Sequence, residues 1–72
     1  MTDHTQAFDK RFNLSQQIEE VKRELAMRGR VYPGFVSKGK MRASEADFHM
    51  DRMRAVLHTL ERLVAEEASS RG

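Results

Sequence analysis

Apolar side chains recur along the first third of the chain at Leu14, Ile18, Val21 and Leu25, in steps of four, three and four. That spacing marks one face of an α-helix, and Ala7 extends the face one heptad back. The opposite face carries Glu19, Glu20, Lys22, Arg23 and Glu24, with Glu19–Arg23 and Glu24–Arg28 spaced as i, i+4 ion pairs. The pattern predicts a helix over about 5–28, stopped by Gly29. Asn13 followed by Gln16 offers a competing start at Leu14, which would put Phe8 and Phe12 on a separate leading segment; the continuous helix is the preferred reading. The stronger signal lies downstream, where Ala46, Met50, Met53, Leu57, Leu60 and Val64 alternate four and three, with Val56 and Leu63 widening the stripe. Ser44 as N-cap, with Glu45 and Asp47 in the first turn, predicts a second helix over about 44–68.

Residues 29–43 are punctuated by glycine and proline, yet Val31, Tyr32, Phe35 and Val36 make them too apolar for a solvated linker. Pro33 suits the first position of a helix, and Gly39 suits its end. A short helix over about 33–38 is therefore expected, aiming Phe35 and Val36 inward. The whole reads as one all-α domain over 1–72, an antiparallel helical hairpin with a short helical turn between its long helices. Two helices leave much of each apolar stripe wet. The expected remedy is a homodimer forming a four-helix bundle, with Leu14, Ile18, Val21, Leu25, Met50, Met53, Leu57, Leu60 and Val64 as core and dimer residues.

Composition narrows the alternatives. A chain of 72 residues buries only about 60% of its unfolded surface, so its core is marginal. The sequence contains no cysteine, which removes disulfides and thiolate metal sites as supports. His4, His49 and His58 do not pair at i, i+3 or i, i+4, and no metal or other cofactor is expected. No apolar run approaches the roughly 18 residues of a membrane span, and the polar start, Met1-Thr-Asp-His-Thr, lacks a leader pattern. A cytoplasmic protein without a membrane role is the expectation.

The net charge of +2 is small, but its distribution is uneven: residues 25–42 hold five basic side chains and no acidic one. Arg28, Arg30, Lys38, Lys40 and Arg42, with Tyr32 among them, form the candidate binding site. Such a cluster can grip phosphates with Tyr32 as a stacking face, meet an acidic protein surface, or hold an anionic nucleotide across a dimer. It can also do no more than solvate a turn. Met50 and Met53 read as core filling, and His49 and His58 as flanks of the stripe. Asp47 and Asp51 are an i, i+4 carboxylate pair, but Asp47 reads as a first-turn acid and Asp51 as a partner of Arg54. No nucleophile–base pair or phosphate-cradling loop is present, so an enzyme is not expected.

The run Arg30-Val-Tyr-Pro33, then Val36-x-x-Gly39-Lys-Met41, Ala46 and the stripe Met50-x-x-Met53-x-x-Val56-Leu57-x-x-Leu60 resembles a group of small proteins encoded by tailed phages and prophages. In that group a leading helix is followed by a similar R-V-Y-P segment, a V-x-x-G-K-[ML] turn and an alanine-led helix. The resemblance covers about residues 18–63 and departs at Gly34, where a bulky basic residue is commoner. It implies a phage-type accessory protein of the host cytoplasm and supplies no catalytic residues. The expected function is binding of a host or phage protein, for example to inhibit a host defence. Nucleic-acid binding through the basic turn, or sequestration of a nucleotide, are the alternatives.

Overall fold

The structure, a computed structural model, describes residues 11–71. They form two α-helices, α1 over Leu14–Ser37 and α2 over Ala43–Arg71, with no strand among the described residues. A five-residue turn, 38–42, reverses the chain. Arg28 of α1 reaches the main chain of His49 on α2, which fixes an antiparallel hairpin. The expected all-α hairpin is therefore found.

Its boundaries differ from the periodicity reading at three places. Residues 11–13 are not helical, so the continuous helix over 5–28 does not form as expected; its portion at 5–10, with Ala7 and Phe8, lies outside the described residues. The competing start is the one adopted. Asn13 accepts the Gln16 N–H at 2.8 Å, and the Gln16 side chain accepts the Asn13 N–H at 2.9 Å. This reciprocal capping box satisfies two donors that a helix start otherwise leaves bare.

The second difference is at Gly29, which does not stop α1. The helix runs through Gly29, Pro33 and Gly34 to Ser37, so the separate short helix over 33–38 is the last part of α1. Propensity disfavours glycine by about 1 kcal/mol and proline by about 3 kcal/mol inside a helix, but contact with α2 along Tyr32 and Val36 outweighs it. Termination comes where Gly39 adopts φ +73°. The Gly39 N–H then bonds the Val36 carbonyl at 3.0 Å and the Lys40 N–H bonds the Phe35 carbonyl at 2.8 Å, a Schellman closure.

The third difference is the start of α2. The Ala46 N–H bonds the Arg42 carbonyl at 3.0 Å, so Arg42, not Ser44, is the N-cap. Its N–H donates to the Glu45 carboxylate at 2.9 Å, and Glu45 provides first-turn negative charge. α2 also continues past residue 68, to Arg71.

Leu14 alone among the described residues is buried, at 6% exposure. Ile18, Val21, Leu25, Tyr32 and Val36 on α1, and Ala46, Met50, Met53, Leu57, Leu60, Leu63 and Val64 on α2, are half-buried along the contact line. The core is a single seam between two rods, and it stays open on both sides.

Candidate functional site

The basic residues of the turn region separate into three groups in space. Arg28 is held in place. Its Nε donates to Glu24 at 2.8 Å, its Nη1 donates to the His49 carbonyl at 3.2 Å, and its guanidinium lies 6.0 Å from the Tyr32 ring centroid. Its side chain is only 21% exposed. Arg28 therefore ties the two helices together, and its charge is engaged within the hairpin.

Arg30 is exposed and stands two residues on, facing away from the α1–α2 seam at about 100° per residue. Eight residues, or about 12 Å of helix, separate it from Lys38. Lys38, Lys40 and Arg42 are exposed in the turn itself. The five-cation cluster is thus a three-cation tip, with Arg30 set back and Arg28 part of the framework. Tyr32 is half-buried on the seam, set back from the three cations of the tip.

Beside the tip the hairpin opens a groove of about 430 Å³, lined on α1 by Gly29, Tyr32, Pro33 and Val36 and on α2 by Ala43, Ala46 and Met50, with Arg28, Ser37 and Asp47 at its polar edges. Small residues make it: Gly29 and Ala43 have no bulk to fill the space, and Pro33 cannot extend across it. Tyr32, Val36, Ala46 and Met50, its half-buried apolar lining, form the floor. The groove was missed in the sequence because placing a break at Gly29 split its α1 wall into a loop and a short helix. A larger concavity of about 790 Å³ follows Phe12, Gln16, Gln17, Glu19, Glu20 and Arg23, but only one helix and its leading residue wall it, and no second element faces them.

Other candidates resolve simply. Asp51 pairs with Arg54 at 3.1 Å, as expected, while Arg23 approaches Glu20 at 3.7 Å. His49 and His58 are exposed; the His49 ring packs edge-on to Phe48, centroids 5.7 Å apart. His4 lies outside the described residues. Phe35, expected inward, is 39% exposed, because running α1 straight through Pro33 turns it off the seam while Val36 stays on it. Among the described residues no group of three His, Cys, Asp or Glu side chains comes together to hold a metal, and no helix is long and apolar enough to cross a membrane. No family model matches the chain, and no curated protein or solved structure matches it either.

Proposed function

We propose that this protein acts by binding rather than by catalysis, and that its partner is a protein that docks at the turn end of the hairpin. The observation that carries the reading is the apolar groove beside a basic tip: Tyr32, Val36, Ala46 and Met50 offer a floor for an apolar side chain, and Lys38, Lys40 and Arg42 stand next to it. A complementary partner presents a helix or loop with one or two bulky apolar residues and an acidic flank. The resemblance to small phage-type proteins makes a host or phage protein, acted on in the host cytoplasm, the favoured partner.

Nucleic-acid binding is the second reading, favoured by the three cations of the tip. An apolar groove does nothing for a phosphate backbone, which ranks this reading second. The two part cleanly in an affinity capture from bacterial lysate. A protein partner survives nuclease treatment, whereas binding to nucleic acid falls steeply with salt. Gly29→Gln is the decisive variant. A Cβ at Gly29 meets no atom within 4 Å, so a side chain can start there without strain, at the wall of the groove, while glutamine is a better helix former than glycine by about 0.5 kcal/mol or more. The expected result is a more stable hairpin that captures the partner at least about tenfold more weakly. Undiminished capture by this variant would overturn the groove as the site.

A further inference from the structure

The side of the hairpin opposite the groove carries most of the large apolar side chains that the fold leaves exposed. At about 3.6 residues per turn, positions 27, 31 and 35 fall on one side of the α1 contact line through Leu25, Arg28, Tyr32 and Val36, and positions 29, 33 and 37 fall on the other. On α2, Ala43 and Asp47 fall on the groove side of the line through Ala46, Met50, Met53 and Leu57. Val56 falls on the other side, while Phe48 lies on the back of α2, nearly opposite the seam. Because the groove joins Gly29, Pro33 and Ser37 to Ala43 and Asp47, the remaining sides of the two helices also adjoin.

Six large apolar side chains are 39 to 55% exposed: Phe12, Met27, Val31, Phe35, Phe48 and Val56. Four of them, Met27, Val31, Phe35 and Val56, lie on this one side; Phe12 precedes α1, and Phe48 stands on the back of α2 with Arg52 over its ring at 5.0 Å. Seam packing does not account for them, since the seam is made by other residues. A random scatter of exposed apolar residues would be unremarkable; the gathering of four of the six on one side is not.

We infer that this side is covered by a second copy of the chain, docked face to face so that two hairpins form a two-layer, four-helix body. Three features select that occupant. The described residues contain no third helix to supply a second layer, and a helical face without one leaves its core open. The area fits: the two-helix part of the hairpin, as long as the 24 residues of α1, is about 36 Å by about 20 Å and offers roughly 700 Å² of face, close to the roughly 800 Å² each partner contributes to a standard stable interface. A two-fold pairing also sets apolar residues against the same set on the partner, and so needs no complementary surface on another molecule. The dimer contact thereby moves from the Met50–Val64 stripe, which packs on α1, to Met27, Val31, Phe35 and Val56. The groove and the tip stay free for a different partner.

The test uses the full chain and does not depend on identifying that other partner. Sedimentation equilibrium from nanomolar to high micromolar concentration should give a species of two chains. Val31→Glu combined with Phe35→Glu should weaken association at least about tenfold, while Ala26→Glu, an equal charge on an exposed position away from this side, should not. Since the double variant can fail to fold, a second measurement is made on the unaltered protein. Peroxide oxidation of Met27 should slow at least about tenfold as concentration rises through the association range. A single chain at high micromolar concentration would overturn the inference. So would a dimer whose Met27 oxidises equally fast at every concentration, or a double variant that folds and associates as tightly as Ala26→Glu. None of these results would touch the groove reading, which Gly29→Gln tests by itself.

Discussion

Arg28 shows how far a residue's role depends on its neighbours. In the sequence it is one of five clustered cations; in the structure it is the side chain that spans the seam, with one acceptor on its own helix and one on the other. Charge-assisted hydrogen bonds contribute roughly 1.5–3 kcal/mol when well buried, and partial exposure screens them. Arg28→Ala should therefore lower stability by about 1 kcal/mol, read from the urea midpoint. Arg28→Lys should recover little, because an ammonium lacks the planar fork that meets both acceptors. Gly39 is the opposite case, a residue whose role was legible from its type and place. At φ +73° a Cβ is strained even though nothing lies within 4 Å of it. Gly39→Ala should cost about 1–2 kcal/mol, measured by thermal melting, whereas Gly34→Ala, in ordinary helical geometry with open space around it, should gain up to about 1 kcal/mol.

At the scale of the element, periodicity was the reliable guide and punctuation was not. The seam residues Leu14, Ile18, Val21, Leu25, Met50, Met53, Leu57, Leu60 and Val64 all fall on the contact line, because a step of three or four follows directly from helix geometry. Asn13 and Gln16 also announced their cap. What could not be read was the fate of 29–37, where local preference and tertiary contact oppose each other and only the packed hairpin decides. The groove and the outer apolar side were hidden by the same error. Met27, Val31 and Phe35 form an i, i+4, i+8 line that has meaning only if the helix continues through Gly29. A residue of that conflict should persist in the dynamics. Pro33 has no N–H to give the Gly29 carbonyl, and two glycines flank the gap. Amide hydrogen exchange should be faster over 30–37 than over 18–27, opening as a local unit. Equal protection across α1 would show that α2 holds both stretches equally.

At the scale of the molecule, the hairpin is long and thin. α2 alone, with 29 residues, runs about 43 Å, more than the diameter of a small domain, and the longest dimension of the chain is 49 Å. A compact globule of this mass would gather its apolar side chains around a centre; here they lie along a line. The charge is distributed along the same axis. The basic turn sits at one end, while near the other Glu61, Glu66 and Glu67 alternate with Arg62 and Arg71 in near balance, so the positive charge of the hairpin is concentrated at its turn.

A chain with Leu14 as the one buried residue among those described keeps little of its folding free energy to itself. If a second copy completes the core, folding and association become one equilibrium, and stability becomes a property of abundance. Each tenfold rise in chain concentration then adds about 1.4 kcal/mol per dimer. The melting temperature should climb steadily across a dilution series, where an independently folded monomer would show none of that dependence. In a cell the consequence is a threshold set by expression. Below it such a chain would be largely unfolded and open to proteolysis, above it the hairpins would accumulate as a folded pool, and the proposed binding surface at the turn would exist only once enough copies had been made.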